Sequence, residues 1–206
     1  MNKKVVIIDY GMGNIASVQK ALDFLNIDNK ITNSHNDILD SSAIVLPGVG
    51  SFNQGIKNLK DRNLDLLLTD EVLNKKKPFI GICLGMQLIF EKGSEPIECE
   101  GLGWIEGEVK KISNENLRIP HLGWNDINVI NKNYYQNIHD LNFYFIHSYQ
   151  AVLKNKSEID SIVNYGSDIV SSLQKENIFA TQFHPEKSQI SGLTLMKNFF
   201  QKNVKE

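Results

Sequence analysis

A chain of 206 residues, 41% hydrophobic and 22% charged, has the composition of an ordinary folded domain and is long enough to bury a core without disulfides or metal. Its formal net charge of −2 excludes the basic footprint of a nucleic-acid or anionic-membrane binder. Two cysteines make no secreted disulfide framework, no run approaches the roughly 18 apolar residues of a membrane span, and the apolar stretch after "MNKK" is too short for a signal peptide, so a cytoplasmic protein is expected.

Val5–Ile8 is a continuous apolar run, as expected of a strand covered on both faces. After a glycine-containing turn, Ile15, Val18, Leu22 and Leu25 fall on one helical face, with Asn14 placed to cap it. Residues 43–46 read as a second buried strand ending at Pro47. Leu64, Leu67 and Leu68 suggest another helix, and the lysines at 75–77 read as its solvated end. Residues 78–82 form a further buried strand. This alternation with short links predicts a parallel sheet wrapped by helices.

From residue 101 the character changes. The short β-rich pieces 109–112, 127–130, 143–146, 169–173 and 178–182 are separated by Asn, Gly, Asp and Ser, which favours antiparallel pairing. A closing helix puts Leu193, Met196 and Phe200 on one face. The expectation is one α/β domain over 1–206: a mostly parallel sheet flanked by helices, with an inserted antiparallel β region.

Two patterns compete for function. "DYGMGNIA" satisfies G-x-G-x-x-[GA] between a strand and a helix. A dinucleotide site also wants an acid about 20 positions on, closing the second strand. That region reads "KITNSHND", whose only acid, Asp37, comes too late, so a tight turn is the better reading.

The second pattern is "FIGICLGMQ". Cys83 stands between a strand end and a helix start with Gly81 and Gly85 beside it, which is nucleophile-elbow spacing. The helix would aim its N-terminal dipole at the sulfur, favouring thiolate, and its first free N–H, at Leu84, could receive an oxyanion. Cys99 has no such context and reads as an inert core residue. Of five histidines, His35 and His139 sit in polar surroundings and His147 reads as a buried strand residue. His184 ends a β-rich run at "FHPEK", and Glu186 could reach its imidazole and fix the tautomer.

"GICLGMQ" followed by "HPE" resembles the triad glutamine amidotransferases, whose Cys, His and Glu occur in this order. The resemblance implies a flavodoxin-like α/β domain over 1–206 and hydrolysis of glutamine to glutamate and ammonia by Cys83, His184 and Glu186. It implies no metal and no cofactor. "IDYGMGNIASVQKAL", "LPGVGSF" and "IPHLGWNDI" resemble the glutaminase subunits of imidazole glycerol phosphate synthases. That implies a heterodimer with a separate cyclase subunit, histidine biosynthesis, and an oxyanion hole of the Leu84 and Val49 amides. Gly50, Gln87, Glu95, Ser148 and Tyr149 would bind glutamine. Trp124, in the subunit-facing segment, could equally fill the core of the inserted sheet, and Trp104 and Glu106 take no role. Related glutaminase subunits that feed surface-sugar amidotransferases are the alternative. A hydrolase or stress protein carrying the same elbow is a third reading, against which Gln87 and the H-P-E order stand.

Overall fold

Each apolar strand in the first half of the chain has helices to cover both of its faces. The computed structural model describes residues 4–113 and 117–204. In chain order come β1 (Val5–Ile8), α1 (Ile15–Phe24), β2 (Asn29–Thr32), α2 (His35–Leu39), β3 (Ala43–Gly48), α3 (Phe52–Asp61) and α4 (Leu64–Thr69), which runs on into a π-helical turn. Then follow β4 (Phe79–Cys83), α5 (Leu84–Leu88), β5 (Phe90–Gly93), β6 (Cys99–Glu100) and β7 (Ile105–Lys111). The chain continues through β8 (His121–Val129), β9 (Asn142–His147), β10 (Tyr149–Leu153), β11 (Ile159–Asn164), β12 (Asp168–Lys175), β13 (Ile178–Thr181) and α6 (Gln189–Asn203).

Side-chain alternation along a strand sorts these residues into two cores. Val6, Ile8, Ile44 and Leu46 pack with α3, α4 and α5, while Val5, Ile7, Ala43 and Val45 pack with α1 and α6. The Asn14 side chain accepts from the Ser17 N–H and caps α1 as expected. On α1, Val18 and Leu22 are buried as foreseen, with Ile15 and Leu25 packed at the edge. On α6 the buried set is shifted: Leu195 and Phe199 join Met196 and Phe200, and Leu193 is only partly covered.

A nine-stranded sheet runs in the order β2-β1-β3-β4-β13-β12-β11-β8-β9. Its first five strands pair in parallel. The remaining pairs are antiparallel, so the second half of the chain extends the sheet as well as adding to it. A separate four-stranded sheet, β10-β7-β5-β6, stands beside it. The α/β class therefore holds, and β13 meets the antiparallel expectation on one side only, where it pairs with β12. Its residues 178–181 lie parallel to β4, because a buried apolar strand beside β4 completes the covered half of the sheet.

The lysine run also departs from expectation. Lys75 and Lys76 are solvated, but the Lys77 ammonium is about 10% exposed, lies 2.6 Å from the buried Glu71 carboxylate and donates to the Ile38 and Leu39 carbonyls. It ties the end of the α4 region to the end of α2.

Because β3, β4 and β13 are parallel neighbours, their carboxyl ends meet at one rim. Gly48 is in register with Cys83, and Thr181 with Ile82. Crevices outside such strand ends are where ligands gather in sheets of this kind.

Candidate active site

β4 ends on Cys83 and α5 starts at the next residue, leaving no loop in which to turn. The turn is made at Cys83 itself, with φ 54 and ψ −107, a conformation that costs a side-chain-bearing residue of order 1–3 kcal/mol. The glycines around it are there because backbone meets backbone. A Cβ on Gly85 would lie 1.8 Å from the Leu46 carbonyl oxygen, and one on Gly81 would lie 2.9 Å from the Gly85 oxygen. Sγ is nearly buried; its thiol donates to the Ile146 carbonyl at 3.8 Å, and the Gln182 amide N–H points at it from 3.7 Å.

His184 lies just beyond β13, where Pro185 starts a short 3₁₀ turn that brings Glu186 back to the ring. The imidazole Nδ1 donates to Glu186 Oε1 at 2.8 Å, which fixes the tautomer and leaves Nε2 buried and without a hydrogen-bond partner. The ring is held from behind: its backbone N–H donates to the Tyr144 carbonyl, and Ser188 Oγ donates to its own carbonyl. Burial opposes the charge on His184, but the Cys83 sulfur and then Glu186 outweigh it and raise its pKa to about 10. Cys83, His184 and Glu186 thus form one electrostatically linked cluster.

In front of the sulfur opens a cavity of about 360 Å³. It is lined by Cys83, Leu84, Val49, Gly50, Gln87, Glu95, Ser148 and Tyr149, so every residue expected to meet substrate or oxyanion converges there. Ser51, Pro120, Ile146 and His147 complete the wall. Gln87 sits one helical turn after Cys83. Both hydrogens of its amide nitrogen are engaged, by the Tyr149 carbonyl at 3.2 Å and Gln182 Oε1 at 3.0 Å, which leaves its oxygen as the free acceptor. Glu95 is half-buried and accepts weakly from the Phe52 N–H; burial raises its pKa, against that bond. Both side chains, Gln87 and Glu95, line the cavity and carry oxygens of the kind that accept from an ammonium.

Behind Tyr149 runs a chain of neutral rings. His147 Nδ1–H donates to the Tyr149 carbonyl at 2.8 Å, so its Nε2 must accept from His121 Nδ1–H at 3.0 Å, and His121 Nε2 accepts from Asn125. Burial lowers the pKa of His147 to about 3 and that of His121 to about 4, which keeps both rings uncharged. His147 is therefore the buried strand histidine expected of it. His35 and His139 are exposed.

The structure decides between readings of the tryptophans. Trp124 is 45% exposed on β8 with its edge toward Tyr144, so it does not fill a core. Trp104 is buried, donates to Thr69 Oγ1 and meets Phe79 edge-on. The turn at Gly11 and Gly13 takes positive φ, and Asp37 is tied to Lys30 and Thr32 rather than placed at the end of β2.

Two residues escaped the sequence reading. Tyr10 packs against Gly48, where a Cβ would meet its hydroxyl at 2.3 Å; that hydroxyl is buried without a partner, and burial followed by Cys83 holds it well above the usual phenol range. Gln182 stands two positions before His184, in the bend that follows β13, and no local spacing marks it.

Residues 6–203 match the family model described as glutamine amidotransferase class-I. The chain is 46% identical to imidazole glycerol phosphate synthase subunit HisH 1 of Campylobacter jejuni over 198 residues, covering 95% of this chain and 98% of that one. It is 43% identical to subunit HisH of Pelagibacter ubique, again over 95% and 98% of the two chains. Among solved structures, PurLQS from Thermotoga maritima superimposes with a TM-score of 0.76 at 16% identity over 98% of this chain and 99% of that chain, a likeness of fold.

Proposed function

The chain belongs to the class-I glutamine amidotransferase family, and from that premise we propose that it is the glutaminase subunit of an imidazole glycerol phosphate synthase. One observation carries the reading: the Cys83 elbow, electrostatically linked to the His184–Glu186 pair, opens on a cavity whose lining includes Gln87 and Glu95, an amide and a carboxylate with oxygens to offer an ammonium group.

Glutamine enters with its side-chain amide at the sulfur. Gly50 gives room, the Gln87 and Glu95 oxygens hold the α-ammonium, and backbone groups at Ser148 and Tyr149 take the α-carboxylate. The Cys83 thiolate attacks the amide carbon, and the oxyanion is held by the N–H groups of Leu84 and Val49. Protonated His184 gives its proton to the departing nitrogen, so ammonia leaves and a γ-glutamyl thioester remains. His184 then takes a proton from water, whose oxygen displaces the sulfur and releases glutamate. Glu186 keeps the ring oriented and offsets its charge throughout.

In this reading the whole chain acts as one domain in the cytoplasm, in a heterodimer with a separate cyclase subunit. That partner uses the ammonia to form imidazole glycerol phosphate and AICAR in histidine biosynthesis. Val49 and Ile146 are exposed apolar residues lining the cavity, and Leu122, paired with Ile146, and Trp124 are exposed on the neighbouring strand β8, which suits a docked partner.

The test is glutamate release with and without a cyclase subunit and its ribonucleotide ligand. Stimulation by the cyclase, abolished by Cys83→Ala while the complex still uses free ammonium, is the expected outcome. Stimulation only by a sugar amidotransferase would move the chain to that paralogous role.

A further inference from the structure

We propose that Gln182 is a further catalytic group, one that aims an amide N–H at the Cys83 sulfur and stabilises it as thiolate. Its orientation is fixed by bookkeeping of donors and acceptors. The Tyr149 carbonyl can only accept, and it lies 3.2 Å from the Gln87 amide, so nitrogen must be the Gln87 atom on that side. The same nitrogen faces Gln182 at 3.0 Å, so Gln182 must turn its oxygen there. That leaves the Gln182 nitrogen as a donor facing Sγ at 3.7 Å. The order is reinforced from behind, since His147 Nδ1–H pins the Tyr149 carbonyl and is itself held by His121.

Gln182 is fully buried, and its backbone is tied to Ser171, so the donor is not free to swing away. The sulfur thus has one neighbour for each of its states. The Ile146 carbonyl accepts from the thiol, and the Gln182 N–H donates to the thiolate. A donor to thiolate acts twice in the cycle: it favours the charged nucleophile before attack, and it favours expulsion of sulfur when water opens the thioester. It forms no bond to substrate and moves no proton.

The inference rests on Cys83 being the glutaminase nucleophile, so its test reads the sulfur directly. In a Cys99→Ser background, alkylation of Cys83 by iodoacetamide is followed by peptide mass spectrometry from pH 6 to 9. Gln182→Glu keeps an acceptor for Gln87 but turns a carboxylate oxygen to the sulfur. Gln182→Met removes the donor at similar volume. The other titratable groups around the sulfur and its cavity, Tyr10, Glu95, His147, Tyr149 and the His184–Glu186 pair, are retained in both variants.

Both substitutions are expected to slow alkylation at pH 7 by roughly tenfold or more, the size of a lost hydrogen bond to a charged group. The pH profile should move upward. In Gln182→Glu, kcat should fall while KM for glutamine stays within about twofold, because Gln87 keeps its acceptor. Wild-type alkylation rates and pH profile in either folded variant would overturn the inference. Gln182-dependent alkylation in a protein that releases no glutamate, with cyclase and ligand present, would instead overturn the glutaminase reading and leave of this one only the hydrogen bond from Gln182 to the sulfur.

Discussion

Replacing Gly85 with alanine tests the elbow at its tightest contact. The added Cβ would sit 1.8 Å from the Leu46 carbonyl oxygen and 2.8 Å from its carbon. Both are backbone atoms of β3, which is paired on both sides, so neither can swing aside. Real Cβ atoms essentially never come within 3.0 Å of such neighbours, so α5 must withdraw from β3 by more than an ångström. That helix carries the Leu84 N–H and Gln87, and it starts directly after Cys83. A displacement of about 1 Å at reacting groups costs on the order of 10² in rate. Overpacking one tight contact costs about 1–3 kcal/mol, or a Tm lowered by roughly 2–12 °C in a chain of this size. Gly85→Ala is therefore expected to stay folded and to lose at least about 100-fold in partner-stimulated kcat. The assay is glutamate release with the cyclase and its ligand, alongside a thermal melt by circular dichroism. A folded variant within about threefold of wild type would refute the claim that close packing of α5 on β3 sets the catalytic geometry.

His184→Ala should cost about as much as losing Cys83, since both proton transfers pass through the ring and triad members act as a unit; Glu186→Gln should cost less. The Cys83 sulfur and the Glu186 carboxylate hold His184 charged against burial, and its pKa stands at about 10. In the proposed mechanism His184 must be charged to protonate the leaving nitrogen, so activity is lost as pH rises through that value, and Glu186→Gln should bring the basic limb of kcat/KM to lower pH; an unmoved limb would remove Glu186 from the pair. Glu71→Ala leaves the largely buried Lys77 ammonium with carbonyls alone. It should cost about 3 kcal/mol in urea unfolding, and a loss below about 1 kcal/mol would show that Lys77 does not depend on this carboxylate.

The parallel half of the fold was legible because β1, β3 and β4 are apolar at every position, and only a strand covered on both faces reads that way. α3 was not read, although Phe52, Ile56 and Leu59 keep helical spacing; its fourth buried position is Gly55, which is small because Leu88 packs against it. The partner of β13 was hidden for a different reason. A short apolar run shows that it is buried but not which neighbour buries it. At the site, Cys83, His184 and Glu186 stood out because glycine and proline punctuate them. Gln182 and Tyr10 did not, because their contacts are made across the sheet, by residues far away in sequence. The neutral state of His121 and His147 likewise depends on burial, which no local pattern displays.

The central claim is that Cys83 carries the glutamyl group during turnover. Rapid acid quenching of the protein with glutamine, cyclase and ligand, followed by peptide mass spectrometry, reads that intermediate directly. The account predicts a γ-glutamyl thioester on the peptide containing Cys83, absent from the Cys83→Ala variant. Continued glutamate release with no adduct on Cys83, or with the adduct on Cys99, would contradict it.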